Sequence, residues 1–214
     1  MQGTILKLLL DPRLGLEAEH LSDQIVSRFE QYLDLLVKWN RKINLTAEKS
    51  AIEILHRHVF DSIQFLRFIE PGYRVLDVGS GAGFPGIPLK IIFPELQLVV
   101  VESQRKRCSF LESVVRDLAM GQVEVINSRA EDMSEAENSQ FNAVVFRAVT
   151  DSLACLQLGE RFLPSGGKVV LKKNPGENLR ELVSNSMFSL REEKIITSYH
   201  DVTSSLLMFE KCFM

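Results

Sequence analysis

Cysteine is scarce. The three cysteines, Cys108, Cys155 and Cys212, lie far apart in 214 residues, and none forms a CxxC pair. That spacing indicates neither a disulfide framework nor a zinc site, and it fits a reducing, cytoplasmic compartment. Long apolar runs are also missing. The longest candidate, Leu96 to Val101, contains Gln97 and is followed by Glu102, far short of the roughly 20 residues a spanning helix needs. Met1–Leu10 has a short apolar run but no basic segment followed by a small-residue cleavage site, so no secretory signal is expected. There is no basic excess: 25 Lys and Arg stand against 28 Asp and Glu, a net charge of −3. The total therefore does not advertise a nucleic-acid partner, and the question passes to local clusters. Repeats and low-complexity stretches are absent. An apolar content of 45% with 25% charged residues excludes disorder for most of the chain. The length suits one α/β domain with a small extension.

What is present changes character at Pro71-Gly72. Before it, Leu21, Ile25, Phe29, Tyr32, Leu33, Leu36 and Val37 recur at steps of three and four, one face of a helix. Asn40–Thr46 reads as a polar turn. Ser50 and Glu53 match a capping box, and Ile52, Leu55, Val59, Ile63 and Leu66 mark a second amphipathic face. After it, strands are expected at 74–79, 98–102, 123–127, 143–146, 168–171, 194–199 and 205–210. Helices are expected at 84–93, 104–118, 151–162 and 177–188. Alternating strands and helices predict a mostly parallel, doubly wound sheet. The last two strands are joined too closely for a crossover helix, so at least one runs antiparallel. The expected division is an N-terminal helical cap, 1–70, beside one compact unit, 71–214.

The segment from Val75 to Gly86 is richest in chemistry. A buried strand runs into Gly79-Ser80-Gly81-Ala82-Gly83-Phe84-Pro85-Gly86 and then a helix. Glycines let a ligand approach the backbone, and ligands of open α/β sheets lie beyond the carboxyl ends of the strands. Gly81-x-Gly83-x-x-Gly86 satisfies the dinucleotide fingerprint, with Glu102 about the right distance onward for a ribose hydroxyl. That is the NAD reading, and a bare strand–helix turn that binds nothing is another. Asp77 favours a third, S-adenosylmethionine. A carboxylate just before the turn is awkward beside a pyrophosphate but suits an ammonium and a sulfonium. Glu102 would then accept from both ribose hydroxyls, and Ser128–Asp132 would pass the adenine.

The motifs together resemble the RsmG (GidB) methyltransferases of bacteria, which methylate N7 of one guanosine in 16S ribosomal RNA. The likeness runs from about Leu36 to Leu171. It rests on Trp39-Asn40-x-x-Ile43-Asn44-Leu45-Thr46, His58-x-x-Asp61-Ser62, Asp77 through Leu89, and Glu102-Ser103-x-x-Lys106-Arg107-x-x-Phe110-Leu111. Arg129-Ala130-Glu131 and Arg147-Ala148-Val149 follow in order. The resemblance implies a class I methyltransferase fold, a seven-stranded sheet with an antiparallel end, and S-adenosylmethionine. It implies that Gly79 and Phe84 touch the cofactor, that Ala130 and Glu131 hold its adenine end, and that Arg147 lies at the methyl-transfer mouth. With Asp77, Gly81 and Glu102 these make the expected cofactor set. Three departures stand out: Phe146 where the family has a small residue, Lys173 where it has glycine, and few basic residues near the C-terminal strand beyond Lys211. Phe146 and Lys173 motivate a rival reading, a nucleotide-sensing module without turnover.

Guanine N7 carries a lone pair and needs no base to unmask it. Catalysis is then expected to be positioning and charge handling, with Arg147 as an orienting group. For RNA, Lys38, Arg41, Lys42, Lys49 and Arg57 stand against Glu48 and Glu53, and Arg105-Lys106-Arg107 adds a second patch. Arg41, Lys42, Asn44 and Lys172 are the candidates for holding substrate. Trp39 either stacks on a base or lies in the core, and His58 with Asp61 either binds metal, acts as a base or, as expected, fixes the cap against the sheet. The expected partner is 16S rRNA in the 30S subunit or its precursor. A monomer with no metal and no membrane attachment is expected.

Overall fold

The computed structural model describes residues 1–134, 140–148, 151–174, 183–184 and 186–212. Its frame is one seven-stranded sheet. In chain order the strands are β1 (Arg74–Val78), β2 (Gln97–Glu102), β3 (Val123–Asn127), β4 (Ala143–Phe146), β5 (Lys168–Lys173), β6 (Phe188–Thr197) and β7 (Thr203–Lys211). They lie in the order β3-β2-β1-β4-β5-β7-β6. β1 to β5 are parallel, while β7 runs antiparallel to both β5 and β6. The order reverses between β1 and β4, which sets the switch point above β1.

Alternation along the central strands sorts the core into two clusters. Val75, Leu98, Val100, Val145 and Val170 face one side, and Leu76, Val99, Val101, Val144 and Phe146 the other. The second side is covered by α7 (Ser152–Phe162) through Cys155, Leu156 and Phe162. The first is covered by α5 (Gly86–Ile92) and α6 (Arg105–Asp117), and its apolar cluster continues without a break into the N-terminal helices. α1 (Gln2–Leu9), which the sequence reading passed over as a mere apolar run, contributes Ile5, Leu8 and Leu9. α2 (Asp23–Ile43) is capped by the Ser22 hydroxyl and contributes Phe29, Tyr32, Leu33 and Leu36.

Several boundaries differ from expectation. α2 runs on to Ile43, through part of the stretch read as a turn, and Asn44 closes it in the left-handed region at φ 49°. The Ser50–Glu53 capping box is present and opens α3 (Ala51–Ile54). The helix then widens into a π-turn (Leu55–Val59), returns to α4 (Phe60–Ile63) and tightens into a 3₁₀ turn (Gln64–Arg67). The extra residue of a π-turn rotates everything before it, so Ile52 is 47% exposed instead of buried. The helix expected at 177–188 lies mostly outside the described residues; Phe188 itself opens β6, six residues ahead of the strand expected there. Among the described residues no helix is long and apolar enough to cross a membrane.

Candidate functional site

Strand register builds the site. Val78 is paired with Val101 on one side and Phe146 on the other, and Phe146 with Leu171. The next residues of each strand, Gly79, Glu102, Arg147 and Lys172, therefore line the carboxyl edge of the sheet side by side.

The glycine loop after β1 closes on itself. Gly79 and Ser80 donate to Val101 O, Gly83 and Phe84 to Ser80 O, Gly81 to Glu102 Oε2 at 3.0 Å, and Gly86 to Asp77 Oδ2 at 2.9 Å. These bonds shape the turn through the chain's own acceptors. Asp77 itself is fully buried. Burial pushes its carboxyl up to about 6, against the opposing pull of the Gly86 N–H and of Arg147. Among the described residues its Oδ1 has no hydrogen-bond partner.

The four glycines have different surroundings. A Cβ on Gly79 (φ +71°) would meet nothing within 4 Å, and on Gly81 (φ +58°) only ordinary contacts. On Gly83 it would stand 2.6 Å from Ile87 Cγ1, and on Gly86 2.7 Å from Asp77 Oδ2. The first two leave room over the loop. The last two exist to let α5 pack.

Glu102 ends β2 with its carboxylate buried. Besides Gly81 it accepts from the Gln104 N–H at 2.8 Å, and Arg107 Nη1 lies 3.6 Å away. Ser103 Oγ also donates to Oε1 at 3.5 Å, so three of a carboxylate's roughly four acceptor positions are used. Cys108 donates from below to Glu102 O, and burial pushes its thiol up. Ala130 is buried in a 3₁₀ turn (Ala130–Asp132) after β3, while the Glu131 side chain is exposed.

Phe84 gathers an aromatic and cationic cluster. Its ring takes the edge of Tyr32 at 5.9 Å, lies at 27° to His58 at 4.9 Å, and has the Arg147 guanidinium carbon 5.4 Å from its centre. Tyr32 also donates to Ala82 O at 2.6 Å. Arg147 is no surface arginine: its side chain is 14% exposed, and burial lowers its pKa from the ordinary value. It donates to His58 Nδ1 at 2.8 Å and lies 3.9 Å from Asp61, which also pairs with Lys172. His58 and Asp61 do join the N-terminal helices to the sheet. Sequence reasoning missed that Arg147, 89 residues away, is what His58 holds, and it missed Tyr32 and Arg107 beside the loop. The His58-x-x-Asp61 spacing was the available signal.

Of the RNA candidates, Arg41 and Lys42 are exposed on the last turn of α2. Asn44 is exposed, and its residue type is explained by its left-handed backbone. The charge triplet at the start of α6 splits: Arg105 and Lys106 are exposed, but Arg107 turns toward Glu102. Trp39 packs edge-on against Phe110 at 5.9 Å. Phe146 points into the core cluster beneath α7, away from the N-terminal helices and the loop. That removes one of the two motives for a module without turnover. The other, Lys173, pairs with Ser205 at the end of β5.

The site suits S-adenosylmethionine on three counts: an open glycine face, an acid at the end of β2, and an unpartnered carboxylate oxygen below the loop. Known proteins agree. Residues 25–207 match the family model described as rRNA small subunit methyltransferase G. A protein named Ribosomal RNA small subunit methyltransferase G from Alkaliphilus metalliredigens is 35% identical over 204 residues, 90% of this chain and 84% of its own length. One of the same name from Streptococcus pneumoniae serotype 4 is 38% identical over 184 residues, 82% of this chain and 78% of its own. Among solved structures, M. jannaschii TYW2 in complex with AdoMet aligns with a TM-score of 0.59 at 15% identity, covering 72% of this chain and 76% of that one. TrmN from Thermus thermophilus aligns at 0.58 and 17%, covering 72% of this chain and 48% of that one, so this chain spans about half its length. A SAM dependent methyltransferase from Aquifex aeolicus aligns at 0.56 and 15%, covering 73% and 92%. The structural neighbours share the class I methyltransferase fold, and the sequence relatives carry the narrower result: the chain belongs to the rRNA small subunit methyltransferase G family.

Proposed function

We propose that this chain transfers a methyl group from S-adenosylmethionine to N7 of a guanosine in 16S ribosomal RNA. Methyl transfer to small-subunit rRNA follows from family membership. The choice of N7 is what the family resemblance implies. The observation that supports it is the line of Gly79, Glu102, Arg147 and Lys172 along the carboxyl edge of the sheet: its one carboxylate, Glu102, is already engaged by backbone and hydroxyl donors, so none of these four residues serves as a free base. A nucleophile with an exposed lone pair needs none.

S-adenosylmethionine supplies the electrophilic methyl group. In our reading Gly79 and Gly81 let it lie against the loop, Glu102 accepts from its ribose, and Ala130 and Glu131 flank its adenine. Asp77 faces the cationic end from below, and Phe84 and Arg147 close the mouth. Arg147 orients rather than protonates. Held through His58, its guanidinium keeps a fixed place from which to donate to guanine O6 or to a carboxylate, and a cation set directly on N7 would oppose the charge that develops there. Lys172, Asn44, Arg41 and Lys42 contact the RNA in this reading. Residues 1–70 form the substrate-side cap and 71–214 the transferring unit. The protein works in the cytoplasm as a monomer on 30S subunits or their precursors.

Incubation with labelled S-adenosylmethionine and undermodified 30S subunits tests this. The expected result is label on 16S rRNA that maps by mass to N7 of one guanosine. Label on another atom overturns the N7 assignment, and unlabelled rRNA overturns the whole.

A further inference from the structure

The N-terminal helices meet the methyl-transfer mouth through one ring. His58 sits on the π-turn, a form of helix found often at functional sites. Its Nδ1 lies 2.8 Å from Arg147 Nη2. Arginine has only protons to offer, so Nδ1 is the acceptor. The ring proton is then on Nε2, which lies 2.6 Å from Glu48 Oε2 and 2.8 Å from Thr46 Oγ1. Thr46 in turn donates to Glu48. One loop beyond α2 thereby fixes the ring, and the ring fixes the arginine against Phe84. A second arm, Asp61, takes Lys172 and stands 3.9 Å from the same guanidinium nitrogen.

We infer that His58 is a positioning residue for Arg147: as a neutral ring protonated on Nε2, it sets the guanidinium at the mouth of the cleft without touching methyl donor or RNA. This rests on the reading of Arg147 given above, with the carboxylate of the methyl donor as its partner. An imidazolium has a proton on both nitrogens, so it would turn an N–H toward the arginine N–H and release it. The groups facing the ring are Glu48 and Thr46 from the loop after α2, Arg57 and Asp61 from its own helix, Phe84, and Arg147 at the end of β4, with Lys172 of β5 beyond Asp61. Burial, then Arg147, lower the pKa of the ring from its ordinary value, against the pull of Glu48. The neutral arrangement therefore holds at neutral pH and is lost as pH falls through a value below about 6.5.

Two substitutions separate positioning from packing. Asn at 58 keeps an acceptor where Nδ1 lies but loses the ring. Phe keeps the ring against Phe84 but loses the acceptor. The readout is affinity for S-adenosylhomocysteine by calorimetry, which needs no RNA. His58→Phe is expected to weaken binding by about tenfold or more, and His58→Asn by about threefold at most. In an Arg147→Ala background the Phe substitution is expected to change nothing further. Better binding by the Phe variant than the Asn variant, or an undiminished Phe effect without Arg147, makes the ring a packing element and overturns the proposal. Should His58→Phe fail to fold, nitrogen NMR on the unmutated chain decides. At pH 7 the ring is expected to carry its proton on Nε2, and a proton on Nδ1 overturns the proposal. A chain that binds S-adenosylhomocysteine yet leaves 30S subunits unmethylated refutes the proposed function alone, and the Asn–Phe contrast still stands or falls separately.

Discussion

The two halves of the glycine loop look alike in sequence and do different work. Gly79 and Gly81 border open space over the strand ends, whereas Gly83 and Gly86 are pressed against Ile87, Leu111, Asp77 and Leu98. The second pair leaves no room for a side chain, while the first has room for one and is disfavoured only by its left-handed backbone. The lesson is that a glycine motif mixes a binding surface with a packing joint, and only the surroundings tell which glycine belongs to which.

Gly83→Ala should break the packing half outright. Its Cβ would meet Ile87 at 2.6 Å with φ at +94°. Overpacking and left-handed strain together are expected to cost about 2–5 kcal/mol, read as a lower urea midpoint. An unchanged midpoint would show that the loop can shift freely. Next in size, Glu102→Ala removes the acceptor at the far side of the open half. Loss of a charge-assisted hydrogen bond of about 1.5–3 kcal/mol predicts ten- to a hundred-fold weaker S-adenosylhomocysteine binding. Calorimetry showing equal affinity would take Glu102 out of the site.

Asp77 sharpens the comparison because it touches both halves. A buried carboxyl raised to about 6 carries no penalty of its own below about pH 3.8 and costs stability as pH rises through 6. The native state then carries a penalty of up to about 3 kcal/mol at pH 8. Asparagine keeps an acceptor for the Gly86 N–H and has no charge to bury. Asp77→Asn is expected to gain about 2 kcal/mol in melts at pH 8 and nothing at pH 4, while binding the cationic donor less tightly. A variant less stable at pH 8 would show that the charge is compensated after all. The smallest effect belongs to Gly79→Ala, with open space around the new methyl. It should cost about 1 kcal/mol of backbone strain, yet it should lose ligand affinity by more than its stability change accounts for. Thermal shifts with and without S-adenosylhomocysteine measure both quantities at once.

The sheet was legible where its chemistry is local. β3 and β4 fall at their expected bounds because short apolar runs between polar turns allow few alternatives. The Ser50 capping box was legible for the same reason. The first six residues of β6 were hidden because an edge strand carries Arg191, Glu192, Glu193 and Lys194 in a row, a charge run that blurs the period-two signal. The exposure of Ile52 was hidden by the π-turn, since a count at 3.6 residues per turn misplaces the face. In the candidate site, Asp77, Gly79 and Glu102 were legible as strand-end residues of a βαβ pattern, and Arg147 through the family resemblance. Their partners were not. Nothing local ties His58 to Arg147, Tyr32 to Ala82, or Arg107 to Glu102, because those contacts depend on how the helices dock.

The Tyr32 hydroxyl on Ala82 O has a consequence for cutting the chain. A piece beginning at Pro71 would retain every strand, but it would forfeit the clasp that α2 places on the turn and the rings that flank Phe84. The 70/71 junction is therefore no place to divide the molecule. The glycine turn is braced from two lengths of polypeptide at once.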